Sequence, residues 1–203
     1  PSVGETILGD SYNIGPGGKG CNQAIAIARL GGKVSFISKI GNDDYGQLAL
    51  NTLIENNIDT STIIQSQDHQ TGVAGIMVDK LTGKNAINVI TGAPSTLNIE
   101  ELNKNIDKIK NSKIFLTQLE IPKEVTLRSL KIAKENSVLT ILNPAPASEI
   151  SEEFFNYIDY FTPNETEAEF YTGIKITSEK EAKKASIKLL KFGLKKVIIT
   201  LGE

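Results

Sequence analysis

The stretch GPGGKGCNQAIAIARLGGKVSFISKI, residues 15–40, is where the fold of this chain first shows. A glycine-rich loop leads into small apolar residues without a helix breaker, which predict a helix over 20–30. The pair Gly31-Gly32 ends that helix, and the apolar run 34–40 predicts a buried strand. Loop, helix and strand thus begin an alternation that the rest of the chain continues.

Helical and strand patterns keep alternating along the remaining sequence. Helices are predicted over 44–56, 102–109, 124–134, 154–158, 166–171 and 178–192, and strands over 63–65, 114–119, 138–142, 160–161 and 197–201. Helices between strands indicate parallel β-α-β units. Unbroken apolar runs such as 197–201 (VIITL) are typical of strands buried on both faces. We therefore predict an α/β fold with a mainly parallel sheet.

Two segments depart from this rhythm. Residues 4–14 and 72–91 carry no helical period, and the second predicts a β-hairpin with its turn at 81–83. A small β-sheet laid on an α/β core would form a lid. We expect the core to comprise 15–71 and 92–203, and the inserted lid to comprise 1–14 and 72–91.

Composition narrows the possible functions. The 203 residues carry 22 Lys and Arg against 24 Asp and Glu, a net charge of −2, which argues against a protein that grips nucleic acid. One cysteine and one histidine exclude an internal disulfide and a cysteine-rich zinc site. The apolar runs are too short to span a bilayer, and the start does not read as a signal peptide. We expect a cytoplasmic protein with neither membrane nor nucleic-acid partners.

The glycine loop indicates a close approach between the main chain and a ligand. Gly15, Gly17 and Gly20 satisfy G-x-G-x-x-G, but the preceding residues are polar where a dinucleotide site needs a buried strand. Amides at a helix start can face a ligand, and Lys19 and Asn22 offer donors suited to hydroxyl groups. A tight turn before a helix remains an alternative.

Several spaced motifs together resemble the ribokinase-like (phosphofructokinase B) sugar kinases. They occur in the family's order and cover nearly the whole chain. They are Gly17-Gly-Lys-Gly-Cys-Asn-Gln-Ala24, Ala28-Arg-Leu-Gly31, Lys39-Ile-Gly-Asn-Asp-Asp-Tyr-Gly46, Gln118-Leu-Glu120, Asn143-Pro-Ala-Pro-Ala147, Thr162-Pro-Asn-Glu-Thr-Glu-Ala168 and Ile199-Thr-Leu-Gly202. The resemblance implies a three-layer α/β/α core with a mainly parallel sheet and an inserted β lid, its C-terminal part lying outside these residues.

The resemblance also implies roles for individual residues. Those expected to bind the sugar are Gly18, Lys19, Asn22 and Glu120. Those expected to bind the nucleotide are Asn164, Thr200 and Gly202, with Asn143 near the transferred phosphate and Glu167 at Mg²⁺. Structural alternatives stay open. Glu120 alone reads as a surface carboxylate, Asn164 with Glu167 as a helix cap, and Thr200 with Gly202 as a strand and its turn.

The activity implied by the resemblance is Mg-ATP-dependent phosphorylation of D-ribose at its 5-hydroxyl. A lid that can pair between subunits implies a homodimer, and a monovalent cation such as K⁺ is implied for the complete enzyme. Alternatives are a kinase for 2-deoxyribose or fructose and a sugar- or nucleotide-binding protein without catalysis. An NAD-dependent enzyme would need an acidic residue about twenty positions after the loop, where Asp43 is the nearest candidate.

One departure from the family pattern limits the expected activity. The family's general base is an aspartate in a Gly-Ala-Gly-Asp segment, and this sequence contains no such segment. The family's first strand, with another sugar-binding aspartate, is not recognisable either. Phosphoryl transfer needs charge stabilisation and removal of a proton from the attacking hydroxyl. We therefore expect these 203 residues alone to be inactive.

Overall fold

The structure, a computed structural model, describes residues 4–202. Its elements in chain order are α1 (Lys19–Arg29), β1 (Ser38–Gly41), α2 (Asp44–Glu55), β2 (Ile63–Ser66), β3 (Val73–Val78), β4 (Asn85–Ile90), α3 (Ile99–Asn103), α4 (Ile106–Lys110), β5 (Ile114–Thr117), α5 (Lys123–Glu135), β6 (Leu139–Leu142), β7 (Tyr160–Phe161), α6 (Glu165–Thr172), α7 (Glu179–Leu190) and β8 (Lys196–Val197). Short 3₁₀ helices occupy Ala93–Thr96 and Glu152–Tyr157. No helix within residues 4–202 combines the length and apolarity needed to cross a membrane.

The core strands are parallel, which confirms the predicted α/β class. Strands β1 and β2 pair with Ser38 opposite Ile63, and β5 to β8 form a second parallel sheet in chain order. In a parallel sheet the carboxyl ends of all strands lie at one edge. The loops that follow β5, β6, β7 and β8 are therefore brought together there.

Strands β1 and β8 differ most from the apolar runs that predicted them. Ser35 makes only an isolated bridge to Asp59, so β1 begins at Ser38. Strand β8 ends at Val197, although the Thr200 amide still donates to the Pro163 carbonyl at 3.0 Å. Because Pro163 has no N–H to donate in return, the ladder is interrupted there, and only the isolated bridge between Asn164 and Thr200 follows.

Helix α5 anchors the core. Its Leu130 is fully buried with Leu142 and Phe161 in one apolar cluster, and its Val125 lies in a second cluster with Leu102 of α3. Burying an aliphatic or aromatic side chain of this size stabilises the fold by about 1.5–3 kcal/mol. Because α5 contributes side chains to both clusters, it fixes the positions of β5, which precedes it, and β6, which follows it.

The single helix predicted over 102–109 is wrong, because the structure has two short helices there. Asn105 ends the first one, since its backbone N–H donates to Leu102 O at 2.8 Å and its side chain donates to Glu101 O at 3.2 Å. Asn side chains compete with helical hydrogen bonds in this way. Glu101 also accepts a hydrogen bond from the buried Lys39 ammonium at 2.7 Å, which ties α3 to β1.

The predicted hairpin is present, but the segment expected beside it has no strand among its described residues. Strands β3 and β4 pair antiparallel, with Ile76 opposite Ile87 on an exposed apolar face. Residues 4–14 are irregular and exposed, and residues 1–3 lie outside the described range. The polar sequence of residues 10–13 offers little apolar surface for a sheet to bury. One ion pair, Lys80 Nζ to Asp10 Oδ2 at 3.0 Å, connects the hairpin to this segment.

Candidate functional site

The glycine loop meets Glu120 at the start of α1. The backbone N–H of Lys19 donates to Glu120 Oε2 at 2.7 Å, across 101 residues of sequence. Gly18 precedes the helix with a φ of 88°, a left-handed conformation that favours glycine. A Cβ at Gly18 would lie 3.8 Å from Glu120 Oε2, so the loop backbone and the carboxylate are close neighbours. The first amides of α1 thus face a negative charge, which a helix N-terminus favours.

The other candidate sugar ligands surround this contact. Lys19 and Asn22 are both exposed. Neither side chain makes a hydrogen bond to any residue from 4 to 202, so their donors are available to a ligand. Glu120 Oε1 has no hydrogen bond in the same part of the chain. The structure therefore brings Gly18, Lys19 and Glu120 together, with Asn22 one helical turn further along α1.

Asn143 follows β6 and is held on two sides. Its Nδ2 donates to the Thr162 carbonyl at 2.9 Å, and its Oδ1 accepts from Gln23 Nε2 at 3.3 Å. Gln23 Oε1 in turn accepts a hydrogen bond from Gln118 Nε2. Sequence reasoning gave Gln23, Gln118 and Thr162 no role. Their only signal was membership of the motifs, because the contacts join positions up to 120 residues apart.

The structure realises Asn164 and Glu167 as a helix cap. Asn164 Oδ1 accepts from the Glu167 N–H at 2.8 Å, and Glu167 Oε2 accepts from the Asn164 N–H at 2.9 Å. This reciprocal capping box starts α6. The cap does not use the two N–H donors of the Asn164 amide or Glu167 Oε1, and Glu167 itself is buried, at 6% exposure.

Glu167 is the carboxylate that the resemblance assigns to Mg²⁺. Among residues 4–202 no three His, Cys, Asp or Glu residues gather into a metal-binding group. Mg²⁺ keeps several waters and usually takes one or two carboxylates together with substrate phosphates. A single carboxylate with one oxygen unused by the cap fits an ion held mainly by phosphate and water.

The chain after β8 lies beside the start of α6. Thr200 forms an isolated bridge with Asn164, and the Gly202 N–H donates to Glu165 Oε1 at 2.5 Å. That hydrogen bond is the main reason why the pKa of Glu165 is lowered from its usual value. The three candidate nucleotide residues therefore meet in one place, and Glu165 is a fourth neighbour that the sequence did not reveal.

The two candidate groups lie at the carboxyl edge of the β5–β8 sheet and are linked through Asn143. Hydrogen-bond donors predominate at the glycine loop, with one carboxylate among them. Near α6 the Asn164 amide and the Thr200 hydroxyl lie beside the carboxylates of Glu165 and Glu167. This arrangement suits a polyhydroxylated ligand at the first group and a phosphate-bearing ligand at the second.

Comparison with known proteins agrees with this architecture. Residues 2–203 match the pfkB family of carbohydrate kinases. The chain belongs to that family.

Within the family the chain is similar to ribokinases. It is 43% identical over 199 residues to a ribokinase of Haemophilus influenzae, covering 98% of this chain and 65% of that protein. It is 33% identical over 204 residues to a deoxyribokinase of Salmonella typhi, covering 100% of this chain and 66% of that one. A solved structure of Arabidopsis thaliana ribokinase complexed with ribose and ATP matches with a TM-score of 0.87 at 29% identity, covering 100% of this chain and 66% of that chain. The chain thus spans slightly less than two thirds of the length of these relatives.

Proposed function

We propose that this chain supplies the sugar-binding and nucleotide-phosphate-binding parts of a kinase that transfers the γ-phosphoryl group of ATP to the 5-hydroxyl of D-ribose. The observation that carries the proposal is the contact between Lys19 N and Glu120 Oε2. It places a fixed carboxylate and free donors at the carboxyl edge of a parallel sheet. The similarity to a ribokinase of Haemophilus influenzae supports ribose as the sugar.

The sugar end of the site has donors and acceptors suited to hydroxyl groups. Glu120 can accept from sugar hydroxyls through Oε1 while Oε2 stays on the helix. Lys19 and Asn22 can donate to hydroxyl oxygens, and the Gly18 backbone leaves room for a close approach. A carboxylate that accepts from two neighbouring hydroxyls orients the sugar ring as well as holding it.

The phosphate end uses neutral donors. We assign Asn164, Thr200 and Gly202 to the nucleotide and Asn143 to the phosphoryl group in transfer. Glu167 would hold Mg²⁺, which when bound neutralises charge on the phosphate oxygens. In a site sheltered from water, donors already aimed at phosphate oxygens stabilise the charge that spreads over them.

The hairpin completes the proposal as a lid. Residues 72–91 would close over the sugar and exclude water, which otherwise competes as phosphoryl acceptor. The exposed apolar face around Ile76 and Ile87 suits pairing with a second copy. We extend the proposal to a homodimer and to a K⁺ requirement in the complete enzyme. We also propose a cytoplasmic location, where the free thiol of Cys21 would stay reduced.

Binding titrations test the proposal without requiring turnover. Isothermal titration of the 203-residue chain with D-ribose should give a measurable dissociation constant. Glu120→Ala should weaken it at least tenfold, because a charged acceptor is lost. Glu124→Ala is a matched control, since Glu124 is an exposed carboxylate on the adjacent helix. Equal affinities in all three proteins would contradict the proposal, and ribose-dependent ATP hydrolysis by this chain would contradict its expected inactivity.

A second candidate substrate is 2-deoxyribose. The similarity to a deoxyribokinase of Salmonella typhi favours it, at lower identity than the ribokinase relative. A site that hydrogen-bonds the 2-hydroxyl rejects the sugar that lacks it, because its own buried polar groups are left unpaired. Parallel titrations with ribose and 2-deoxyribose separate the two: tighter binding of ribose supports the ribokinase proposal, and tighter binding of 2-deoxyribose supports the alternative.

A further inference from the structure

Three side-chain amides, one of them Asn143 of the candidate site, form a continuous hydrogen-bonded chain. Gln118 Nε2 donates to Gln23 Oε1. Gln23 Nε2 donates to Asn143 Oδ1 at 3.3 Å, and Asn143 Nδ2 donates to the Thr162 carbonyl at 2.9 Å. The chain crosses from the end of β5 through α1 to the loops after β6 and β7. It is partly buried at every link.

The direction of this chain is fixed at one end. The Thr162 carbonyl can only accept, so Asn143 must turn its NH₂ group toward it. The carbonyl of Asn143 then faces Gln23, which must present its own NH₂ group. The same argument turns the Gln23 carbonyl toward the NH₂ group of Gln118. A reversal of any one amide would leave two acceptors or two donors facing each other.

A fixed direction decides what Asn143 can offer a ligand. Of its two N–H bonds, one is used by Thr162 and one is left. Its carbonyl, which would repel a phosphate oxygen, is turned away toward Gln23. Gly20 leaves room for the other end of the chain, since a Cβ there would lie 3.0 Å from Gln118 Oε1.

The geometry points to Gln23 as a positioning residue. The Thr162 carbonyl sets the direction of the Asn143 amide, and Gln23 holds it there by donating to Oδ1, so that the free N–H of Asn143 donates to the phosphoryl group. Gln23 need not touch either substrate, because it acts through Asn143. This inference rests on the proposed function for its ligand, ATP, but the orientation of the Asn143 amide can be tested without one.

Gln23→Glu is the informative substitution. It keeps the size of the side chain and replaces the donor to Asn143 with a carboxylate oxygen. The matched control is Gln47→Glu, because Gln47 Nε2 donates to Asn51 Oδ1 at 2.7 Å in the same kind of amide pair on the exposed surface of α2. Gln23→Met removes the donor without adding charge, and it serves if the charged variant does not fold.

Two readouts decide the matter. In ¹⁵N-labelled protein, the Asn143 side-chain NH₂ signals, assigned by their loss in Asn143→Asp, should shift and exchange faster in Gln23→Glu but not in Gln47→Glu. By calorimetry, Gln23→Glu should bind ATP at least tenfold more weakly than the unsubstituted chain, a loss of at least about 1.4 kcal/mol. Its affinity for D-ribose should stay within about twofold, a change of less than about 0.5 kcal/mol.

Each outcome has one meaning. Unchanged Asn143 signals, or changed signals with unchanged ATP affinity, would overturn the positioning role. Equal weakening of ATP and ribose would also overturn it, because that result indicates general loosening of the site. If the unsubstituted chain binds no ATP, the nucleotide part of the proposed function fails, and the Asn143 signals alone decide whether Gln23 sets the orientation of the amide.

Discussion

Asp43 holds the first leg of the hairpin against the start of α2 by accepting the Thr71 N–H at 2.7 Å through Oδ2. Its other oxygen caps the helix, accepting from the Gly46 N–H at 2.8 Å. The Thr71 hydroxyl accepts in return from the Gly41 N–H at 2.8 Å. One carboxylate therefore joins the core to the root of the proposed lid.

Removing this carboxylate should loosen both elements. We expect Asp43→Ala to lower the free energy of unfolding by about 1–3 kcal/mol, since a helix N-cap and a charge-assisted hydrogen bond are lost together. Urea unfolding followed by circular dichroism measures the change. Asp44→Ala serves as control, because Asp44 is exposed in the same first turn and should cost less than about 1 kcal/mol. Equal losses in the two variants would contradict the joining role.

The contribution of Asp43 should depend on pH. The hydrogen bond from the Thr71 N–H, followed by that from the Gly46 N–H, lowers its pKa below the usual 3.8. A lowered pKa in the folded state stabilises the fold above the unfolded value and stops doing so as the pH falls through the folded one. The stability gap between the unsubstituted chain and Asp43→Ala should be constant at neutral pH and shrink below pH 3.8. A gap that grows on acidification would contradict the assignment.

The base of the hairpin, where Gly92 lies against Gly72 and Gln70, should not accept a side chain at Gly92. Its φ is 56°, and an added Cβ would lie 2.4 Å from Gly72 N and 2.6 Å from Gln70 O. We expect Gly92→Ala to cost about 2–4 kcal/mol, because backbone atoms cannot move aside as a side chain can. Gly75→Ala is the matched control within β3, where nothing lies within 4 Å of the added methyl group. Thermal unfolding should separate the two variants clearly, and similar melting temperatures would show that the root is not closely packed.

Asp159 should make a larger acid-sensitive contribution. Burial raises its pKa, but hydrogen bonds from Lys134, the Thr140 N–H and Lys195 outweigh burial and bring the pKa to about 2. The stabilisation is therefore complete above pH 3.8 and is lost as the pH falls toward about 2. Asp159→Asn should cost about 2 kcal/mol at neutral pH and almost nothing at the acid end of this window.

Denaturant titrations at a series of pH values measure this effect. Asp10→Asn is the control, because the Asp10–Lys80 pair is largely exposed, at 73% and 83% for the two side chains. Such a pair is worth less than about 1 kcal/mol. A loss in Asp159→Asn that does not vary with pH would mean that packing, and not the carboxylate charge, is responsible.

Gly20 should be needed for ligand binding more than for folding. A methyl group there would meet Gln118 Oε1 at 3.0 Å and the Phe36 ring at 3.2 Å. Gly20→Ala should gain up to about 1 kcal/mol of helix propensity. By displacing Gln118 it should still weaken ATP binding about tenfold, while ribose binding changes by less than about twofold. Gly15→Ala, with nothing within 4 Å of the new methyl group, should leave both affinities unchanged. Unaltered binding in Gly20→Ala would show that Gln118 can move without consequence.

The sequence predicted the fold class and most elements because those signals are local. Local sequence patterns predicted α1, α2, α5 and the hairpin, each within a few residues of its observed bounds. The early end of β8 depends on Pro163 in a neighbouring segment, and the break after α3 on an Asn105 side chain that bonds to the backbone. Contacts of this kind leave no periodic pattern in the sequence.

In the candidate site, too, the sequence predicted the features that depend on local signals and missed those that depend on long-range contacts. Motifs supplied Lys19, Glu120 and Asn143, but not the contacts among their neighbours. The bond between Lys19 and Glu120 spans 101 residues, and that between Gln23 and Asn143 spans 120. Local reasoning did anticipate the reciprocal cap of Asn164 and Glu167 as an alternative, because capping depends on positions three apart.

The bond from Lys19 to Glu120 has a consequence for the thermodynamics of binding. A free glutamate side chain loses rotational entropy worth up to about 2 kcal/mol when it is immobilised. Glu120 gives up that freedom as the chain folds, when α1 receives its acceptor. A sugar hydroxyl therefore binds a carboxylate that is already ordered. The entropy cost of ordering Glu120 does not reduce the affinity for the sugar.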